Sequence, residues 1–119
     1  MATKQEIGAL GEERVSQYLL DDGCVIIDRN WRINEGEIDL IAQDQDGLFL
    51  FVEVKTRSSM HYGHPLEAIT PIKALRMQRL ALAWLTINHR WGSDYRIDCA
   101  AVFIARNHDS EVDYRKGVL

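Results

Sequence analysis

A long hydrophobic run is missing from this sequence. No stretch approaches the roughly 18–20 uncharged apolar residues that a membrane-spanning helix needs. The opening MATKQEIGALGEE also lacks the apolar segment of a secretion signal. We therefore predict a soluble protein that stays in the cytoplasm and has no membrane partner.

Cysteine is scarce as well, with two residues in the chain. Cys24 and Cys99 both lie in apolar, strand-like segments, and neither has a second ligand at the short spacing that marks zinc or redox sites. We expect buried free thiols, because a cytoplasmic setting disfavours the alternative, a disulfide. P-loop, GxGxxG, GxSxG and HExxH motifs are absent too, so NTPase, dehydrogenase and hydrolase-triad functions have no support.

The chain does contain a sizeable apolar fraction and an uneven distribution of charge. Its 119 residues, of which 46% are hydrophobic, predict one domain over residues 1–119. The net charge is −4, but residues 1–54 contain 12 acidic and four basic residues, whereas residues 55–79 contain one acidic and five basic residues. This division would place carboxylate metal ligands beside phosphate contacts. Ordinary solvated surface explains it equally well.

The pattern of apolar and turn residues predicts an α/β fold. The capping box Thr3-x-x-Glu6, followed by apolar residues at helical spacing, predicts a first helix at about residues 4–21. Thr70 followed by proline predicts the start of a second helix at about residues 70–89. Strands are expected in an antiparallel meander of three segments, in a fourth segment after the second helix and in a short edge segment: CVIIDRNWR, EIDLIAQ, LFLFVEVKT, YRIDCAAVFIA and EVDYR.

Charged residues interrupt two of these strands where apolar side chains would be expected. Along FVEVKTR, the two-residue period of a strand places Glu53 and Lys55 on one face, while Val54 points to the other. Asp39 is likewise embedded between two apolar residues in GEIDLIA. A charge in a strand that should be buried needs a partner or a function.

Phosphodiester hydrolysis would supply such a function. Hard divalent cations prefer oxygen ligands, chiefly carboxylates, and they neutralise charge on the phosphate and lower the pKa of an attacking water. Asp39 and Glu53 on neighbouring strands would bind Mg²⁺ or Mn²⁺, and Lys55 would position the water or stabilise the pentavalent phosphorus. The alternative is an ordinary same-face ion pair between Glu53 and Lys55.

Four sequence blocks together resemble a known family. The blocks are GxxGE in the first helix, GEIDLIA, FVEVKTR, and YGHPLEAIT followed by a lysine. Their order and spacing over about residues 8–104 are similar to those of the YraN-like family of predicted endonucleases. That family is placed in the PD-(D/E)XK nuclease superfamily, alongside archaeal Holliday-junction resolvases.

The resemblance implies a restriction-endonuclease-like αβββαβ core, with a mixed central sheet flanked by helices. It assigns Asp39, Glu53 and Lys55 to a metal-dependent active site and implies that Glu12 completes the site. The helical wheel agrees, because Glu12 lies on the flank of the apolar stripe of the first helix, whereas Glu13 points nearly opposite. The alternative for Glu12 is an ordinary acid on the helix surface.

Basic residues close to these blocks are the candidate nucleic-acid contacts. Arg57 follows the catalytic strand directly, and Lys73 and Arg76 lie in the first half of the second helix. All three would bind the phosphate backbone. For Lys73 and Arg76, a solvated helix surface is an equally good explanation.

These features predict a Mg²⁺- or Mn²⁺-dependent endonuclease that acts on DNA, with branched or junction DNA among its candidate substrates. One alternative is a non-catalytic nucleic-acid-binding or recruitment module on a nuclease fold. A second is a structural interaction domain without nucleic-acid affinity. Apolar residues spread around the second helix are compatible with a homodimer, which the resolution of a symmetric junction would require.

Overall fold

A mixed five-stranded sheet forms the centre of the protein, with a helix against each of its faces. The computed structural model describes residues 3–58, 66, 69–107 and 109–118. In chain order, the helices and strands of these residues are α1 (Lys4–Asp21), β1 (Val25–Ile33), β2 (Gly36–Gln43), β3 (Phe49–Arg57), α2 (Pro71–Ile87), β4 (Tyr95–Ile104) and β5 (Ser110–Arg115). Neither helix is long and apolar enough to cross a membrane.

The strands lie side by side in the order in which they occur in the chain. β1, β2 and β3 form the predicted antiparallel meander, α2 brings β4 parallel to β3, and β5 returns antiparallel at the far edge. The predicted α/β class, the αβββαβ order and the mixed sheet flanked by helices are confirmed. Of the YGHPLEAIT block, only positions 66, 69 and 70 lie within the described residues.

Both helices begin at the predicted capping residues. Thr3 Oγ1 accepts a hydrogen bond from the Glu6 N–H (3.1 Å), and Thr70 Oγ1 accepts one from the Lys73 N–H (3.2 Å). Each bond satisfies an N–H group that the first helical turn leaves without a backbone partner. α1 ends just before Gly23, whose φ of 87° is left-handed and turns the chain toward β1.

Two apolar clusters, one on each face of the sheet, hold the helices in place. Burial of each large apolar side chain stabilises the fold by roughly 1.5–3 kcal/mol. The cluster under α1 includes Val15, Leu19, Leu40, Val52 and Val102. The cluster under α2 includes Ile41, Phe51, Leu80, Trp84 and Leu85. The outer side of α2 leaves four large apolar side chains exposed, at Ile72, Leu75, Leu82 and Ile87.

The two cysteines behave as the sequence predicts. Cys24 and Cys99 are both buried and both free. Burial raises the pKa of the Cys99 thiol to about 12, so this thiol stays protonated at neutral pH. Neither residue therefore has the character of a reactive or metal-binding thiolate.

Asp98 on β4 is fully buried, yet donors surround its carboxylate. Oδ1 accepts hydrogen bonds from Arg96 Nε (2.7 Å) and from the Gly117 N–H (2.9 Å). Oδ2 accepts hydrogen bonds from Arg96 Nη2 (2.9 Å) and from the Tyr114 hydroxyl (2.6 Å). This network ties β4 to β5 and to the segment that follows it, and the sequence analysis did not predict it.

Removal of the Asp98 carboxylate should destabilise the protein strongly. Asp98→Ala leaves the Arg96 guanidinium and the Tyr114 hydroxyl without their shared partner, so we expect the free energy of unfolding to fall by about 3–5 kcal/mol. Asp98→Asn keeps an acceptor and should cost less. Urea denaturation measures both effects, and a loss under about 1 kcal/mol for Asp98→Ala would contradict this account.

Candidate active site

The predicted acid cluster lies where β2 and β3 separate. Their antiparallel ladder ends with Leu40 opposite Val52. Beyond that pair, among the described strands, β2 continues beside β1 alone and β3 continues beside β4 alone. Asp39 and Glu53 are the next residues on the two strands, so both lie at the mouth of the gap that opens between them.

Asp39 takes over a hydrogen bond that the ladder no longer provides. Its Oδ2 accepts a hydrogen bond from the Val54 N–H (2.8 Å), where a strand carbonyl would otherwise be needed. Burial raises the pKa of Asp39 to about 7, with the negative charge of Glu53 as the second cause and Glu12 and Glu37 adding to it. Asp39 is therefore a carboxyl group that gains and loses its proton near neutral pH.

Glu53 and Lys55 project side by side from β3, as the strand period predicts. Lys55 Nζ lies 3.1 Å from Glu53 Oε1. The Lys55 side chain is only 26% exposed, and the Glu53 side chain is only 21% exposed. This partial burial distinguishes the pair from a freely solvated surface ion pair, and it fixes an ammonium group beside the acid cluster.

Gly11 allows α1 to approach β3 closely. A Cβ at this position would lie 1.8 Å from Thr56 Oγ1, so a larger residue would push the helix away from the strand. The next residue, Glu12, is half-buried, whereas Glu13 is exposed. Glu12 thus faces the acid cluster because its neighbour has no side chain.

The environment of Glu12 couples it to the rest of the cluster. Burial raises the pKa of Glu12 above its usual value, and the charges of Glu37 and Glu53 raise it further. A side-chain hydrogen bond with Asn30 and the charge of Arg29 act in the opposite direction. Three carboxylates from α1, β2 and β3 therefore share one electrostatic environment.

Asn30 is a site residue that the sequence analysis missed. Arg29 lies opposite Leu40 and Trp31 opposite Ile38, so Asn30 lies between these pairs, level with Asp39. Its φ of 49° is left-handed, which asparagine tolerates better than most residues do. Backbone strain of this kind tends to occur at functional sites. The available signal was an asparagine in the middle of a predicted strand.

The carboxylates fit a divalent cation as a partial ligand set. Within the part of the chain that the structure describes, no three His, Cys, Asp or Glu side chains form a group that could hold a metal ion. Mg²⁺, however, is commonly held by one or two carboxylates, with water and substrate phosphates as the other ligands. Asp39 and Glu53 suit that arrangement, because a cation between them would relieve the repulsion that raises the pKa of Asp39.

The three predicted nucleic-acid contacts fall into two groups. Arg57 lies at the end of β3, two residues beyond Lys55, and its Nη1 donates a hydrogen bond to the Thr56 carbonyl (3.1 Å). Lys73 and Arg76 lie on α2, which packs against the opposite face of the sheet from α1. Arg76 lines a separate pocket there, of about 520 Å³. Arg57 lies on the same strand as Glu53 and Lys55, and Arg76 lies close to Gly36 at the start of β2.

Comparison with known proteins gives a family match and a structural similarity. A family model described as "Uncharacterised protein family UPF0102" matches residues 11–102. The chain is 43% identical over 118 residues to a UPF0102 protein of Beutenbergia cavernae, covering 99% of each chain. It is 44% identical over 119 residues to one of Leifsonia xyli subsp. xyli, covering 100% of each. It is also similar to a repair endonuclease from Pyrococcus abyssi, with a TM-score of 0.49, 18% identity and coverage of 91% of this chain and 41% of that one.

The raised pKa of Asp39 predicts how stability depends on pH. The folded-state pKa of about 7 lies above the ordinary value of 3.8, so between these values the native state binds more protons than the unfolded state. The contribution of this group to stability therefore falls as pH rises from about 4 to 7. Asp39→Asn should remove that decline and stabilise the metal-free protein above pH 7, by up to about 4 kcal/mol.

Urea denaturation in EDTA, at an acidic and at a mildly alkaline pH, measures this effect. Asp46→Asn is the matched control, because it makes the same substitution at an exposed turn residue. An identical pH dependence of stability in wild type and Asp39→Asn would show that the pKa of Asp39 is not raised in the folded protein.

Asn30 offers a second test of the cluster. Asn30→Gly relieves the left-handed backbone but removes the amide, whereas Asn30→Ala keeps the strain and removes the amide as well. Both substitutions should raise the pKa of Glu12, because they delete a hydrogen bond that lowers it. Only Asn30→Ala should also destabilise the backbone, by about 1–2 kcal/mol relative to Asn30→Gly. NMR titration of the Glu12 carboxyl and urea denaturation separate the two effects; an unchanged Glu12 pKa would rule out the hydrogen bond.

Proposed function

The chain belongs to the uncharacterised protein family UPF0102, and we propose that it is an endonuclease that depends on Mg²⁺ or Mn²⁺ and hydrolyses phosphodiester bonds in DNA. The observation that carries the proposal is the arrangement at the gap between β2 and β3. There, Asp39 and Glu53 lie beside a lysine that Glu53 holds at 3.1 Å. Two carboxylates and an ammonium group in a half-buried site suit a cation and a phosphate diester.

Asp39 and Glu53 would hold the cation, and Glu12 would act as an outer or further ligand. When bound, the cation would neutralise charge on the phosphate and lower the pKa of the attacking water. The Val54 N–H fixes one oxygen of Asp39 and leaves the other for a ligand. This anchoring reduces the side-chain freedom that would be lost on binding.

Lys55 would act on the phosphate and on the attacking water. Its ammonium is compact, positively charged and held by Glu53, so it can stabilise the negative charge that accumulates on phosphate oxygens in the transition state. Asn30 lowers the pKa of Glu12, which favours the charged form of a third carboxylate near the cluster. Lys55 and Glu53 lie on β3, Glu12 lies on α1 and Asn30 lies on β1.

DNA is the proposed substrate, and branched DNA is the first form to test. The YraN-like family that the sequence blocks resemble is placed in one superfamily with archaeal Holliday-junction resolvases, which adds branch points to the candidates. Cleavage of a symmetric junction would require a homodimer with two such sites.

The alternative function is a nucleic-acid-binding module without turnover. One observation favours it, namely that the described residues contain no group of three potential ligands already arranged around a cation position. A module of this kind would bind DNA in a salt-sensitive manner and independently of divalent cations. The two functions therefore differ in whether the protein needs Mn²⁺ to act on DNA.

Mn²⁺ titration and cleavage assays on defined variants test the proposal. Wild type should bind Mn²⁺ in isothermal titration and cut a branched DNA, and Asp39→Asn should lose both properties. Lys55→Ala should keep the metal but lose at least about 100-fold in cleavage rate, because the charge that faces the phosphate is gone. Asp46→Asn, the same change at an exposed turn, should resemble wild type in both assays.

Cleavage by Asp39→Asn or Lys55→Ala at the wild-type rate would refute the proposed mechanism. Salt-sensitive DNA binding by the wild type, without Mn²⁺ binding in the presence or absence of DNA, would establish the binding module instead. Circular dichroism of each variant confirms that a loss of cleavage is not a loss of folding.

A further inference from the structure

The face of α1 that packs on the sheet becomes more exposed toward the N-terminus of the helix. Val15 and Leu19 are buried under the helix, and steps of three or four residues lead from them through Gly11 and Gly8 to Lys4. Gly8 is only half-buried, and Lys4 is exposed. The first turns of α1 therefore extend past the part of the sheet that covers the rest of this face.

Gly8 and Gly11 belong to one motif but have different surroundings. A Cβ at Gly11 would collide with Thr56, whereas a Cβ at Gly8 would have no atom of the described residues within 4 Å. Gly8 also has an ordinary helical backbone that alanine would adopt readily. Glycine weakens a helix relative to alanine, and neither conformation nor packing against the part of the chain that the structure describes accounts for it at this position.

A groove of about 610 Å³ lies over Gly8. One wall is α1, which contributes Lys4 and Glu12, and the other is residues 54–58 at the end of β3. Lys55 and Arg57 both line this second wall. The groove thus begins at the candidate active site, through Glu12 and Lys55, and continues toward Lys4 and Arg57.

We propose that this groove holds the nucleic-acid strand on one side of the scissile phosphate. Gly8 leaves the space that the sugar-phosphate backbone occupies, and Lys4 and Arg57 bind its phosphates. Glycine permits close approach of a protein backbone to a ligand, and lysine and arginine are the usual phosphate contacts. The inference rests on the proposed function for the nature of the ligand, and it adds Lys4 and Gly8 to the residues that contact it.

Filling the space over Gly8 tests the proposal directly. Gly8→Gln adds a neutral side chain of high helix propensity that would occupy the groove, while Gly8→Ala adds only a methyl group. Ala9→Gln is the matched control, because it adds a glutamine to the exposed side of the same helix. Affinity for a short fluorescein-labelled single-stranded DNA is measured by anisotropy in EDTA, so that the strand stays intact.

We expect Gly8→Gln to weaken binding by at least about tenfold, a loss that corresponds to about 1.4 kcal/mol. Ala9→Gln should bind within about threefold of wild type. Gly8→Ala puts a methyl group into the space that the strand occupies, so it should weaken binding by less than Gly8→Gln does, and it should raise Tm by a few degrees. Binding by Gly8→Gln within twofold of wild type, at an undiminished Tm, would overturn the proposal.

Lys4 provides an independent test that does not depend on added bulk. Lys4→Gln should weaken binding by about 3- to 10-fold and reduce the slope of log affinity against log salt by about one, since one phosphate contact is lost. Lys116→Gln removes an exposed lysine from the segment after β5, outside the groove lining, and should leave both quantities unchanged. An unchanged salt slope for Lys4→Gln would overturn the role of Lys4.

The two proposals fail in distinguishable ways. If wild type cuts DNA with Mn²⁺ and Gly8→Gln cuts and binds equally well, the groove is wrong and the nuclease stands. If wild type never cuts DNA but Gly8→Gln and Lys4→Gln lose strand binding, the nuclease is wrong and the groove stands. Wild-type protein that binds no strand at low salt would overturn the groove outright.

Discussion

The hydrogen bond from the Val54 N–H to Asp39 is the constraint on which the candidate site depends. Where β2 leaves β3, that N–H loses its strand partner, and a carboxylate supplies the missing acceptor. The same bond fixes Asp39 next to Glu53, the first β3 residue beyond the ladder. A backbone requirement thereby brings two like charges together, and their repulsion, added to burial, is what a lysine and a cation can relieve.

The part of the site next to α1 depends on the absence of a side chain at Gly11. Gly11 lets α1 lie against Thr56, and Glu12 lines the same groove as Val54 and Lys55 of β3. Asn30 completes the arrangement from β1, where a left-handed residue interrupts the strand level with Asp39. The helix α1 thus gives the region around Asp39 one polar side chain, Glu12, and the strand β1 gives it another, Asn30. Each does so through a local departure from regular packing or backbone geometry.

Features with a short period were predictable from the sequence, and features set by distant contacts were not. Threonine caps marked both helix starts, and the two-residue period placed Glu53 beside Lys55. The sequence could not show that Asp98 would gather donors from β5, or that Gly8 and Gly11 would have opposite surroundings. Those properties arise from how α1 and β5 pack on the sheet. The roles of Asp39, Glu53, Lys55 and Glu12 stay predictions until they are measured.

The parallel pairing of β3 with β4 has a consequence for synthesis of the chain. Every side chain of the acid cluster lies within residues 12–55, so all of them have been made before α2 and β4 exist. During that interval β3, whose first four residues are apolar and buried in the folded protein, has one complete edge without a neighbour. Unpaired apolar edges are where nascent chains associate wrongly. The second half of this protein therefore covers the open edge of β3. Variants that delay the pairing of β4 should aggregate before they show altered chemistry.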